Sequence, residues 1–305
     1  MKKFLYIFAS IVLLAGFCSC SNEESTDFSS VIKKEKVTVT LSISGDDLQT
    51  RGDLGEVSDI PTDHLICGVY DMRGELLKEF GRESDGLIEV EIETLPVSID
   101  LTFVKGQQYC LALWAHNSDS DIYTTADLRK VGIEYAKVKT VDFSGDAFYK
   151  NEMFTVVGNE TRNIRMVRAV ARLNIRMTEE DFQLIQNEIG PIKSTVIAMS
   201  GLPSGLDIWS GNDIVEEKFK EKNFQFEESE IINEGAGTVL LTAAYTFAPQ
   251  ESTQIYGAVL TFINEKGQHR EVTLSELPIQ RNWTTNIQLS AETVISQLKM
   301  RKTTS

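Results

Sequence analysis

The sequence predicts an all-β protein: two β-sandwiches in tandem with a few short helices. Three observations carry that reading. Runs of alternating apolar and polar residues recur along the chain, glycine-containing turns separate them, and helical periodicity is rare. The length of 305 residues suits two sandwiches better than one. The chain divides into a leader at 1–19, a flexible acidic tether at 20–35, sandwiches at 36–160 and 161–290, and a tail at 291–305.

In order, the leader comes first. Lys2 and Lys3 precede an uncharged run from Phe4 to Phe17, and charge returns only at Glu23. The run is about 14 residues, against roughly 20 for a membrane-spanning helix, so it reads as an export signal. The layout resembles a bacterial lipoprotein signal, whose first mature residue is a lipid-carrying cysteine. Cys20 follows small Ser19 and is the expected lipidation site. Cys18 follows bulky Phe17 and is the less suitable alternative. Cleavage by an ordinary signal peptidase would instead leave a free periplasmic protein. Acyl chains such as palmitate would anchor by burial, at about 0.8 kcal/mol per methylene. The acidic stretch Ser21-Asn22-Glu23-Glu24-Ser25 resembles a surface-export signal of Bacteroidetes lipoproteins, and also reads as a plain polar tether. The expected location is the cell outer membrane, lipid-anchored and facing outward.

The strands follow. Lys36–Gly45, KVTVTLSISG, alternates Val37, Val39, Leu41 and Ile43 with threonines and serines, the period of a half-buried strand. Similar runs cover His64–Met72, Leu87–Glu93, Ile99–Val104 and Gln108–Ala115. Beyond Gly158 they cover Asn163–Met177, Ser194–Met199, Thr238–Phe247, Gln254–Ile263, Glu271–Leu274 and Asn286–Leu289. Arg73-Gly74 and Glu265-Lys266-Gly267 predict hairpins. Leu202-Pro203-Ser204-Gly205 and Gly235-Ala236-Gly237 predict loops. One short helix is expected at Thr125–Lys130, with Thr125 as N-cap. Another opens at Thr178 and carries Phe182, Ile185 and Ile189 at helical spacing. The seam is placed near Asn159–Arg162, where Gly158-Asn159-Glu160 breaks the pattern.

Composition excludes several functions. Removing Lys2 and Lys3 with the leader leaves 28 basic against 45 acidic residues, a net charge of −17. That surface argues against nucleic acid and anionic membranes as partners. Cys67 and Cys110 lie in apolar strand-like segments, as buried thiols or as a disulfide. The three histidines, His64, His116 and His269, have no metal-ligand spacing, and no nucleophile or nucleotide-binding motif occurs. Asp46-Asp47 and Asp119-Ser120-Asp121 read as solvated loops before calcium sites. No cofactor, metal or enzymatic activity is expected. Of the tryptophans, Trp114 and Trp283 read as core or seam residues. Trp209, in GLDIWSGND, is the expected exposed anchor for a ligand.

Three further segments carry a resemblance. Gln108–Ala115 resembles the Y-x-hydrophobic-W-A strand of fimbrillin-like lipoproteins of Bacteroidales. Arg168–Ile175, RAVARLNI, is similar to their R-x-x-A strand near the seam. Arg281–Ile287, RNWTTNI, matches their C-terminal R-N-x-x-T-N-I signature, the most specific of the three. The resemblance implies transthyretin-like, immunoglobulin-like sandwiches. It also implies maturation by an arginine-specific protease, here after Arg51, although Arg51 also reads as an exposed loop residue. Such a cut would remove both lipid and strand 36–45, and Val37, Val39, Leu41 and Ile43 would be the plugs exchanged between chains. The tail Ala291–Ser305 fits an extended donor, a short helix or a frayed end. The expected function is a fimbrial (pilus) structural or adhesive subunit in cell adhesion. Its partners would be the membrane through its lipid, other subunits or itself, and a host protein or glycan. The alternative is a surface glycan-binding lipoprotein.

Overall fold

The computed structural model describes residues 35–44, 62–138, 145–216, 223–250 and 254–303. The leader, Cys20, Asp46-Asp47 and Arg51 lie outside the described residues. The fold is all-β. The first half contributes β1 (Lys36–Ser44), β2 (His64–Tyr70), β3 (Ile88–Glu91), β4 (Val97–Val104), β5 (Gln108–His116), β6 (Tyr123–Thr124), β7 (Val131–Ile133), β8 (Ala147–Thr155), β9 (Glu160–Arg165) and β10 (Val167–Arg168). The second contributes β11 (Ala171–Thr178), α1 (Glu179–Ile189), β12 (Ile192–Ser200), β13 (Gly205–Asp207), β14 (Asn212–Ile214) and β15 (Asn223–Gln225). It continues with β16 (Ser229–Glu230), β17 (Ile232–Gly235), β18 (Thr238–Thr246), β19 (Gln254–Asn264), β20 (His269–Ile279), β21 (Thr284–Leu289) and α2 (Ala291–Thr303).

The first sandwich packs a three-stranded sheet, β4-β1-β9, on a five-stranded sheet, β10-β8-β5-β2-β3. The five-stranded sheet is buried on both faces. Leu65, Cys67, Val69, Leu111 and Leu113 face the first core. Ile66, Tyr70, Cys110, Ala112 and Trp114 enter a second, larger core. That double burial explains why β2 and β5 read as continuous apolar runs while β1 and β4 alternate. Cys67 and Cys110 therefore sit in different cores and are free thiols, not a disulfide. Burial pushes their thiols up to about 12 and about 11.

The second sandwich packs the sheet β17-β18-β11-β21 against the sheet of β15, β12, β19 and β20. Leu173, Ile175 and Met177 from β11 meet Ile197, Leu260, Phe262 and Val272 in the larger core. A short four-stranded sheet, β14-β13-β7-β6, contributes Val131, Ile133 and Leu206 to the same core. The single run expected at Asn163–Met177 is broken into β9, β10 and β11. The first two pair with β1 and β8, and β11 opens the second sandwich. The break lets the chain cross from one sandwich to the next at Ala169-Val170, both fully buried.

The two expected helices differ in outcome. Thr178 caps α1, its hydroxyl accepting from the Asp181 amide at 3.0 Å, with Glu179, Glu180 and Asp181 in the first turn. Thr125–Lys130 is not a helix but a turn. The Asp127 side chain accepts from the Arg129 amide and its carbonyl from the Lys130 amide, a local competitor of helix bonding. The tail forms α2, with Val294 and Leu298 buried beside α1 and β20.

Candidate functional site

The central strand β1 is the candidate site, and its geometry follows from its alternation. It runs antiparallel to β4, from Lys36 opposite Val104 to Ile43 opposite Val97, with no break in register. On its other side it runs parallel to β9, from Val39 beside Glu160 to Ser44 beside Arg165. Val37, Val39, Leu41 and Ile43 point inward and are at most 7% exposed. They pack with Leu101, Phe103, Leu113, Phe148 and Ile164. Aromatic rings close one end of this core: Phe103 stands 4.9 Å from Phe80, 4.7 Å from Tyr109 and 5.4 Å from Phe154. Arg162 covers the Phe154 ring at 4.4 Å.

Among the described residues few polar ties to β1 are seen. The Thr40 hydroxyl donates to Asp100 Oδ1 at 2.6 Å, and the Thr38 amide donates to Asn159 Oδ1 at 2.8 Å. Just outside the strand, Lys105 Nζ lies 2.9 Å from the Glu35 carboxylate. Attachment is thus mainly ladder hydrogen bonds plus four aliphatic plugs. Removing such a strand would bare two backbone edges and a groove.

A buried arginine makes a contrasting site. Arg281, 2% exposed, donates to the Ala248 carbonyl (2.9 Å), the Tyr149 hydroxyl (2.8 Å), the Gly211 carbonyl (3.0 Å) and Asp213 Oδ1 (2.6 Å). It thereby ties β21's approach to β8 and β14. Burial raises the Asp213 carboxyl more than the adjacent guanidinium lowers it. The family-like signature RNWTTNI is therefore a structural hub at its first residue.

The tryptophans exchange their expected places. Trp209 is half-buried, with Arg129 over its ring at 5.0 Å, and its indole nitrogen is enclosed. It is not the exposed platform its polar context predicts. Trp283 is 60% exposed, not core or seam, because Asn282 adopts a left-handed φ of 63° that sends Arg281 inward and Trp283 outward. Trp114 is fully buried beside Tyr123 and Phe247, as expected of a core residue.

His64 and His116 face each other across β2 and β5, with ring centroids 5.5 Å apart. Burial, aided by His64, lowers His116 to about 4. His269 opens β20 on the surface. Among the described residues no group of three or more His, Cys, Asp or Glu side chains is placed to hold a metal ion. Asp119 and Asp121 lie in a loop where Asp121 pairs with Lys137 at 3.2 Å. No described helix is long and apolar enough to cross a membrane.

The model of a family of unknown function, DUF6562, matches residues 29–289. No curated protein matches the chain. Among solved structures, a protein described as an adhesin from Bacteroides ovatus is 12% identical, over 83% of this chain and 87% of its own, with a TM-score of 0.50. The fimbrial anchor protein Mfa2 from Porphyromonas gingivalis is 11% identical, over 79% and 83%, with a TM-score of 0.46. A Bacteroides thetaiotaomicron protein described as polysaccharide-binding is 13% identical, over 76% and 78%, with a TM-score of 0.48. At such identities the likeness to the first is one of fold, and the other two scores carry no argument.

Proposed function

The chain belongs to the DUF6562 family, and we propose that it serves as a cell-surface fimbrial or adhesive subunit. In this reading it is exported, lipidated at Cys20 and assembled by exchange of its first strand. The observation that carries the reading is the position of β1: central in its sheet, plugged by four alternating aliphatic side chains, and with few other polar ties among the described residues. A cut after Arg51 would separate residues 20–51, lipid and β1 together, from the rest. The groove left behind would accept an extended segment of alternating apolar residues from another chain. The resemblance of Gln108–Ala115, Arg168–Ile175 and Arg281–Ile287 to fimbrillin-like lipoproteins supports the same reading. So does the description of the similar Bacteroides ovatus structure as an adhesin.

Fully burying each aliphatic plug is worth about 1.5–3 kcal/mol, so the four contribute on the order of 6–12 kcal/mol as an upper bound. That is enough to keep β1 in place after a cut until a competing strand displaces it. The test is limited trypsin treatment of the purified precursor. The expected result is early cleavage at Arg51, loss of the 36–45 peptide, and oligomers that survive mild detergent. A cut chain that remains monomeric with the peptide retained would overturn assembly by strand exchange.

A further inference from the structure

A cleft of about 310 Å³ opens over the Arg281 hub, where β8, β14 and the segment after β18 meet. Its depth is graded. Arg281 and Tyr149 form the floor and are almost fully buried. Asn151 and Asp213 form half-buried walls, and Gln250 stands exposed at the rim. Strand geometry brings these groups together. Tyr149 and Asn151 lie two residues apart on β8, paired with Trp114 and Ala112 of β5, and so share one face. Asp213 Oδ1 meets Arg281 at 2.6 Å, and the Tyr149 hydroxyl meets both Arg281 at 2.8 Å and Gln250 at 2.7 Å. Gly211 closes one side: its carbonyl accepts from Arg281, and a Cβ there would stand 3.7 Å from Asn151 Nδ2.

The hub leaves part of its hydrogen-bonding capacity unused. A guanidinium carries five N–H donors. Four of those of Arg281 reach acceptors among the described residues, and the remaining one is on Nη2. Asp213 Oδ1 accepts from Arg281, while Oδ2 accepts nothing among the described residues. Asn151 donates through Nδ2 to the Trp209 carbonyl at 3.2 Å, and its Oδ1 is idle. Gln250 accepts through Oε1 from Tyr149, and its Nε2 is idle. The cleft therefore holds idle donors and idle acceptors together. Such groups gain most from a partner where burial keeps water away.

The chemistry narrows the ligand. The lining charges, Arg281 and Asp213, cancel, so an anion would meet the carboxylate and a cation the guanidinium. Apart from Pro249 and Tyr149 the lining residues are polar or glycine, which disfavours a lipid. A hydroxyl both donates and accepts, so neighbouring hydroxyls match mixed donors and acceptors without adding charge. The volume lies at the small end for ligand sites, room for about one pyranose ring. We infer that this cleft binds a single neutral sugar unit, such as the terminal residue of a glycan. It does so through hydrogen bonds to Asp213, Asn151, Gln250 and Arg281, not by stacking on an aromatic ring. No residue of β1 takes part, so this site and strand exchange are tested independently.

The test is saturation-transfer NMR on the purified protein with methyl glycosides of glucose, galactose, mannose, fucose and N-acetylglucosamine. At least one is expected to bind saturably. Gln250→Ala and Asn151→Ala should each weaken it about tenfold. Gln250 is exposed, so its replacement should leave the thermal midpoint unchanged and isolate the effect on binding. Trp283→Ala should bind as well as the parent, because that exposed indole does not line the cleft. The inference is overturned if no glycoside saturates, if Gln250→Ala and Asn151→Ala both bind as well as the parent, or if Trp283→Ala abolishes binding. It is also overturned if acetate, inorganic phosphate or methylammonium competes better than every neutral sugar.

Discussion

The first strands of the two sandwiches occupy equivalent places and are held in different ways. β1 lies between antiparallel β4 and parallel β9, and β11 lies between antiparallel β18 and parallel β21. β1 is buried on one face only, its outer residues being Lys36, Thr38, Thr40, Ser42 and Ser44. β11 is buried on both. Its outer Asn174 donates to Asn286 Oδ1 at 3.0 Å, and Arg176 pairs with Glu234 at 2.8 Å and also donates to Asn286. Arg172 lies over the Tyr245 ring at 5.6 Å. One strand is a plug and the other is riveted. The lesson is that position in a sheet does not by itself make a strand exchangeable. What matters is whether its outer face carries desolvated polar bonds that a foreign strand would have to reproduce.

That contrast can be broken by mutation, beginning with the largest effect. Arg281→Ala should destabilise the fold by about 3–5 kcal/mol, because Asp213 stays buried without its partner. Chemical denaturation measures it, and Arg281→Lys should not restore the four-bond geometry. The sign with pH follows from Asp213, whose folded value is raised. A raised acid favours folding below the ordinary carboxylate range and loses that contribution as pH rises through its folded value. The penalty of Arg281→Ala should therefore be smaller near pH 4 than at pH 7.

Leu41→Ala should cost about 2–5 kcal/mol through the cavity it leaves. Arg176→Ala should cost about 1.5–3 kcal/mol, since Glu234 and Asn286 lose charge-assisted bonds. Thr40→Ala, the matching change on the outer face of β1, should cost no more than about 1.5 kcal/mol. If Thr40→Ala proves as damaging as Arg176→Ala, the distinction between plug and rivet collapses. A smaller effect concerns His116. Its folded value is depressed to about 4, so it stabilises above the ordinary histidine value and that stability is lost as pH falls toward 4. His64, Asp63 and Glu89 are the charged or titratable neighbours acting on it. His116→Gln should flatten the stability slope between pH 7 and 4, read by denaturation at several pH values.

Legibility in the sequence tracks burial geometry. β1 and β4 bury one face each, so Val37–Ile43 and Val97–Phe103 alternate visibly. Thr178 and the carboxylates after it announce α1 because a cap is a local device. β8 is not visible: Ala147, Phe148 and Tyr149 serve different cores within three residues, so no period emerges. β6, β7, β13 and β14 are too short to show one. The Arg281 hub draws on Tyr149, Gly211, Asp213 and Ala248, all distant in sequence, and the motif around Arg281 does not name them. The glycine row of the short four-stranded sheet is illegible in the sequence for a similar reason. Gly132 and Gly205 become neighbours only once β7 pairs with β13, and a lone glycine in each segment looks like an ordinary turn residue. Trp209 misled because a polar sequence context says nothing of an arginine arriving from Arg129.

The parallel pairing of β1 with β9 also has a mechanical side. Lys36 lies at the leading end of the pair, while β9 leaves at the opposite end, where Ser44 sits beside Arg165 and the chain runs on to the second sandwich. A tension applied between Lys36 and the second sandwich pulls the two strands along their length in opposite senses. The six residue pairs from Val39–Glu160 to Ser44–Arg165 then bear the load together, in shear. Unzipping them one at a time would need a pull across the sheet. The strand proposed for exchange is thereby oriented to resist drag along its own axis.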